Sequence, residues 1–262
     1  MHVEIPDLDM ELAEISLVPD LEKCALLLDI DGTILDLAPS PRQVWVPPTL
    51  RNTLARLDNL TGGALALISG RPLDDIDIIF SPLELAAVGC HGAEVRPVPR
   101  TEPQIRAPRL SSTLKRRLAT IVTELGPGIL VEDKGYSLAL HYRLAPEKGP
   151  ALEAAVTTIC AEAPDAVDIL PGKLVLEIKP TGINKAAAVS ELMLYPPFAN
   201  RNPIFIGDDT TDEPVFGIIS KFGGLGFSVG RLAANVSGHF DRPESVRAWL
   251  ARIAADREGT GE

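Results

Sequence analysis

The sequence predicts an α/β fold, an open and mainly parallel sheet covered by helices on both faces and interrupted by an inserted α+β unit. Three observations predict it. Short apolar runs alternate with helix-period segments from Cys24 to about residue 96, and the same rhythm returns after about residue 183. Between these stretches the pattern changes to helix-strand-strand, repeated once. Finally, three of the core strands end on polar residues: Asp29 and Asp31, Ser69-Gly70-Arg71, and Asp208 and Asp209. In an open parallel sheet, ligands bind at that end of the strands.

In chain order, "CALLLDI" (24–30) reads as a buried strand. Residues 47–60 read as a helix opened by prolines, which suit a first helical turn. "GALALISG" (63–70) is a second strand, residues 72–80 a helix, and residues 85–96 a strand, turn and strand. The proline- and arginine-rich stretch "RPVPRTEPQIRAPR" reads as a linker. A helix at about 110–125, the strands "ILVED" and "YSLALHYR", a helix at about 147–163, and the strands "VDIL" and "KLVLEIKP" make the inserted unit. A helix at 183–194, the strand "PIFIGDD" (203–209), a helix near 212–219 and "GFSVG" complete the core. The expected organisation is residues 1–104 as the first part of the core (1–22 an extension), 105–179 as a cap and 180–262 as the second part, with only "ADREGTGE" at the end frayed.

Composition narrows the function. With 45% hydrophobic residues the chain buries a substantial core. Its 25 basic and 36 acidic residues give a net charge of −11, which argues against nucleic acid or an anionic membrane as a standing partner. The acidic start, "MHVEIPDLDMELAEI", lacks the basic and apolar regions of a secretory leader. No apolar run reaches membrane-spanning length. Cys24, Cys90 and Cys160 show no CxxC spacing and fit a reduced compartment, so a soluble cytoplasmic protein is expected.

The first strand poses a physical problem. Two aspartates one residue apart repel each other, and burying them unpaired costs several kcal/mol. The fold brings Asp29, Asp31, Asp208 and Asp209 to one sheet edge, and all-oxygen ligation of that kind suits Mg²⁺. Lys185, at the start of a helix after "TGIN", reaches the same edge and offsets further charge. Ser69-Gly70 offers a hydroxyl and free backbone N–H groups, the ingredients of a phosphate seat. Taken singly, each feature has an ordinary explanation: DxD caps helices, GDD makes turns, and a lone lysine is a solvated helix residue. Their order, each at a strand end or helix start, is what favours function.

In this order, "DIDGT", "ISGR", "GINK" and "GDDTTDE" resemble the motifs of the haloacid dehalogenase-like (HAD) phosphohydrolases. "GCHGAE", "KGYSLALHYR" and "LEIKP" before "GINK" resemble the trehalose-6-phosphate phosphatase branch, over about Leu26 to Val229. The resemblance implies a Rossmann-like core with an αββαββ cap of the C2 type. It implies hydrolysis of trehalose 6-phosphate through an aspartyl-phosphate, and a functional link to a trehalose-6-phosphate synthase. Asp29 would be the nucleophile and Asp31 the general acid and base. Mg²⁺ would be held by Asp29, the backbone carbonyl of Asp31, and Asp208. Ser69, Gly70, Arg71 and Lys185 would hold the phosphoryl group, with Asp209 and Asp212 positioning the metal shell or Lys185. The departures, Ile30, Ala186 and a Pro214 expected within a helix, remove no charge the chemistry needs.

In the cap, strand alternation places Tyr136, Leu138, Leu140 and Tyr142 on one face and Ser137, Ala139, His141 and Arg143 on the other. Leu174, Leu176 and Ile178 likewise oppose Glu177 and Lys179, and Glu132 and Lys134 share a parity. By pattern alone the polar face is the solvated side of a sandwich. The resemblance implies instead that Glu132, Lys134, Ser137, His141, Glu177 and Lys179 read the sugar. A phosphatase of another sugar phosphate (sucrose phosphate or a glycosyl-phosphoglycerate), a silent sugar-phosphate sensor and a dehalogenase are the alternatives. The last is disfavoured because a departing halide needs neither a proton nor magnesium.

Overall fold

The computed structural model describes residues 17–38 and 43–255. The leader and frayed-end expectations for residues 1–16 and 256–262 lie outside the described residues.

The first part of the core runs β1 (Cys24–Asp29), α1 (Pro48–Leu60), β2 (Leu65–Ile68), α2 (Leu73–Phe80), β3 (Ala86–Gly89), β4 (Glu94–Arg96) and β5 (Gln104–Ile105). The cap follows as α3 (Ser112–Leu125), β6 (Leu130–Asp133), β7 (Leu138–His141), α4 (Gly149–Ala161), β8 (Val167–Gly172) and β9 (Val175–Pro180). The chain then returns through α5 (Lys185–Leu192), β10 (Asn202–Gly207), α6 (Glu213–Ile219), β11 (Leu225–Val229), β12 (Gly238–Phe240) and α7 (Pro243–Ala255).

Two sheets result, one of eight strands in the order β12-β11-β10-β1-β2-β3-β4-β5 and one of four in the order β6-β7-β9-β8. Pairing is parallel from β12 to β3 and antiparallel beyond. The reversal has a simple cause: the connection from β3 to β4 is a single short turn, too brief for a crossover helix. The cap sheet is antiparallel throughout.

Side-chain parity assembles the layers. In β1, Leu26 and Leu28 pack with Leu54 and Leu57 of α1 and with Trp249 and Leu250 of α7. Ala25 and Leu27 point the other way, to Val189 and Leu192 of α5 and to Val215 and Phe216 of α6. The cap has its own core, where Leu114 and Leu118 of α3 and Leu152 and Val156 of α4 cover Leu138, Leu140, Leu176 and Ile178.

Three details depart from the sequence expectation, and Pro214 lies inside its helix as expected. Residues 104–105 of the expected linker form an edge strand, pairing Ile105 with Glu94. Tyr136 leaves the apolar face of the cap because β7 begins only at Leu138; it packs with Cys90, Ala93 and Ala107 of the core. Pro214 lies in the first turn of α6, where its missing N–H leaves no bond unmade. Finally, β12 and α7 follow the last motif, where no element was expected, and Val246, Trp249, Leu250 and Ile253 of α7 join the core.

Candidate functional site

The registers of β1 bring the polar strand ends together. Asp29 pairs with Ile68, the residue before Ser69. Leu28 pairs with Ile206, two residues before Asp208. Parallel pairing thus places the first aspartate, the serine turn and the second acidic cluster at one level of the sheet.

Lys185 lies at the centre of the group. Its Nζ donates to Asp29 Oδ1 and to Asp212 Oδ1, each at 2.7 Å, and all three side chains are buried. Local capping aims it there, since Asn184 accepts from the Ala187 N–H at 2.8 Å and opens α5 one residue earlier. The other oxygen of Asp212 accepts from the Asp209 N–H at 3.1 Å, so Asp212 fixes both the lysine and the turn after β10. Asp209 caps that turn through Thr210 N at 2.7 Å.

Oxygens of Asp29, Asp208 and Asp212 lie within 4.8 Å of one another. One lysine cannot neutralise three carboxylates. Burial pushes the Asp29 carboxyl well above the usual carboxylate range against the pull of Lys185, and Asp212 and Asp208 push it further. Asp208 is raised to about 6, by burial first and by Asp212 next. Thr33 Oγ1 is 2.9 Å from Asp29 Oδ2 and 3.3 Å from Asp208 Oδ1. Gly32 is obligatory beneath them: its φ is +81°, and a Cβ there would meet Asp208 Oδ2 at 2.1 Å. An all-oxygen cluster with surplus negative charge fits a hard divalent cation. Both oxygens of Asp212 accept from N–H groups, those of Lys185 and the Asp209 amide, whereas Asp29 Oδ2 and Asp208 Oδ1 share the Thr33 hydroxyl.

Asp31 stands apart from this cluster. Arg71 holds it in a bidentate pair, Nε to Oδ2 and a terminal nitrogen to Oδ1, both 2.6 Å. Burial would lower the Arg71 pKa, but the Asp31 carboxylate overrides it and raises it. The Ser69 hydroxyl accepts from the Arg71 N–H at 3.1 Å, which leaves its own proton to donate.

A cavity of about 450 Å³ joins the two units. Asp29, Asp31, Ser69, Gly70, Arg71, Lys185, Asp208 and Asp209 line it from the core, and Glu132, Lys134, His141 and Glu177 from the cap. The polar cap face is therefore not a solvated one. Glu177 Oε1 accepts from Ser137 Oγ at 2.6 Å, and Oε2 accepts from Lys134 Nζ at 3.1 Å and His91 Nε2 at 3.2 Å. Burial alone would raise Glu177; the charges of His91 and Lys134 and the bonds from His91 and Ser137 hold it far below the usual carboxylate range. Lys134 is raised, its desolvation outweighed by Glu177 and Glu132. His141 bonds Glu132 at 2.9 Å, the main cause of a lowered Glu132.

Three of the residues proposed from sequence are not on the cavity wall. Ser137 and Asp212 act on it through Glu177 and Lys185. Lys179 turns away, donating to the Ile183 carbonyl and lying 3.6 Å from Asp168. The wall also holds Leu37, His91, Leu130, Arg143, Leu144 and Thr211, to which the sequence assigned no role. His91 lay inside the quoted stretch "GCHGAE", but its placement depends on two consecutive left-handed residues, Cys90 at φ 48° and His91 at φ 56°, which no local pattern announces.

The fold is that of the capped phosphatases of the haloacid dehalogenase-like superfamily. A Bacteroides thetaiotaomicron phosphatase of that superfamily superposes with a TM-score of 0.61 at 15% identity, covering 91% of this chain and 98% of that one. The C-terminal domain of C. albicans trehalose-6-phosphate phosphatase superposes with a TM-score of 0.78 at 21% identity, covering 89% and 93%. The trehalose-phosphatase family model matches residues 27–243. Trehalose-6-phosphate phosphatase of Escherichia coli (strain K12) is 35% identical over 237 residues, 90% of this chain and 88% of that protein. The chain belongs to the trehalose-phosphatase family.

Proposed function

We propose that this protein hydrolyses trehalose 6-phosphate to trehalose and inorganic phosphate, with Asp29 as nucleophile and Mg²⁺ as cofactor. The observation that carries the reading is a single cavity with two kinds of wall. On the core wall Lys185 bridges Asp29 and Asp212 beside Asp208; on the cap wall, Glu177, Lys134 and the Glu132–His141 pair offer fixed acceptors and donors to sugar hydroxyls.

In this reading the phosphoryl group lies against Ser69, the Gly70 turn and Lys185. An oxygen of Asp29 attacks phosphorus, the bond to the sugar oxygen breaks, and Asp31 supplies the proton that oxygen needs. Asp31 then takes a proton from water, which attacks the aspartyl-phosphate at phosphorus and restores Asp29. Asp29, Asp208 and the Asp31 carbonyl would hold Mg²⁺, which neutralises phosphate charge so that an anionic nucleophile can approach. Asp31 cannot deliver a proton while both its oxygens accept from Arg71, so Arg71 must exchange partners when substrate enters. The anionic phosphate is the competing acceptor the cavity provides.

The inserted segment, about 105–179, works as a cap that reads the sugar and excludes water during transfer. A glycosyl transfer that makes trehalose 6-phosphate, the synthase reaction, must supply the substrate. Among the described residues no helix is long and apolar enough to cross a membrane, and all three cysteines are free, which supports a cytoplasmic setting.

Phosphate release from a panel of sugar phosphates, with Mg²⁺ and with EDTA, tests this. Strong preference for trehalose 6-phosphate, abolished by EDTA and restored by Mg²⁺, is expected. Equal turnover of many monosaccharide phosphates would refute the substrate, and full activity in EDTA would refute the cofactor.

A further inference from the structure

His91 belongs to the core, yet among the described residues its side chain bonds to the cap. Its Nε2 meets Glu177 Oε2 at 3.2 Å, and both residues are more than nine-tenths buried. Its main chain is tied to the phosphate-binding turn: the His91 N–H donates to the Ser69 carbonyl at 3.0 Å, and the Cys90 N–H to the Arg71 carbonyl at 2.8 Å. The ring also lies directly against that turn. A Cβ on Gly70 would stand 2.4 Å from His91 Nε2, so glycine there leaves room for the imidazole.

Two features mark the position as one held under strain. The residue has a left-handed φ of 56°, a conformation that few non-glycine residues adopt, though histidine tolerates it better than most. Its Nδ1 is buried with no hydrogen-bond partner. A carboxylate facing Nε2 requires the proton there, which leaves Nδ1 unsatisfied, a state that native proteins rarely keep without reason. Packing alone would be served better by an apolar side chain.

We infer that His91 is a positioning residue that couples the sugar-reading cap to the phosphate turn. By docking Glu177 onto the Ser69–Arg71 turn, it sets the distance between the cap acceptor and the phosphoryl seat. It thereby selects substrates whose sugar hydroxyls and phosphate are spaced to satisfy both. The inference rests on the trehalose 6-phosphate reading above.

His91→Asn tests it, since asparagine tolerates the left-handed backbone but is too short to reach Glu177. His91→Gln restores a donor near the Nε2 position. The measured quantity is the ratio of kcat/KM for trehalose 6-phosphate to that for p-nitrophenyl phosphate, which carries no sugar for the cap to read. The ratio should fall about tenfold or more in H91N, the scale of a small misplacement of bound substrate, and recover in part in H91Q. In the double variant with Glu177→Gln the ratio should fall no further than in E177Q alone. An unchanged ratio in H91N, equal loss on both substrates, or additive losses in the double variant would each overturn the coupling. A wild-type protein with no preference for the disaccharide phosphate would instead remove the substrate reading, and the coupling with it.

Discussion

Asp29 and Glu177 are both buried carboxylates within hydrogen-bond reach of a lysine, yet the protein drives them in opposite directions. Around Asp29 one ammonium group serves Asp29 and Asp212 with Asp208 alongside, and Asp29 and Asp208 are pushed upward. Around Glu177 one carboxylate receives Lys134, His91 and Ser137, and the acid is pushed down. Burial acts alike on both, so the count of partners decides the outcome. The first region is a charge deficit awaiting a cation. The second is a finished acceptor, charged at any physiological pH and ready to bond hydroxyls.

The sharpest way to break the contrast is to remove the reactive member of the deficient side. Asp29→Asn should lower kcat by about 10⁴-fold or more while calorimetry still detects substrate binding, because the nucleophile is lost while the cap wall of the cavity is untouched. Lys185→Met comes next. It leaves Asp29 and Asp212 buried without their cation, so turnover should fall about 10²–10³-fold and thermal unfolding should show a loss of about 3–5 kcal/mol. On the compensated side, Glu177→Gln keeps shape but weakens charged hydrogen bonds. KM for trehalose 6-phosphate should rise about tenfold in initial-rate assays, by the 1.5–3 kcal/mol scale of such bonds.

The smallest effect separates the regions by pH. Asp208 titrates near pH 6, so it loses its charge as pH falls through that value and a proton displaces the cation. Magnesium titrations from pH 7 to pH 5 should therefore show affinity falling by up to about tenfold per pH unit below about 6. Glu177, shifted the other way, contributes stability present above its ordinary pKa and lost only at much lower pH. The Glu177 carboxylate should keep its charge across the same range. If both drift together, the two clusters are not the electrostatic opposites described here.

The core was legible in the sequence because its strands are short, apolar and finished by chemistry-bearing residues. Asp29, Ser69 and Asp208 meet because parallel registers leave their strand ends level, and Lys185 joins them from the start of α5. Other features depend on contacts between units. Nothing local to "EIK" signals that Glu177 faces the cavity while Lys179 bonds the Ile183 carbonyl. His91 and the Arg71–Asp31 pair likewise require the tertiary arrangement. Helix α7 was missed for a plainer reason: it lies beyond the last motif, although Val246, Trp249, Leu250 and Ile253 carry a helical period.

The cap's exit is short. Strand β9 ends at Pro180 and α5 begins at Lys185, so four residues separate the cap sheet from the ammonium beside Asp29, and Lys179 is bonded to Ile183 among them. Any swing of the cap is therefore a pull on Lys185. The insertion is not a cassette that can be cut out or exchanged for another specificity unit with a generic linker. A graft that alters residues 181–184 by even one position would detune the reaction centre along with the substrate preference.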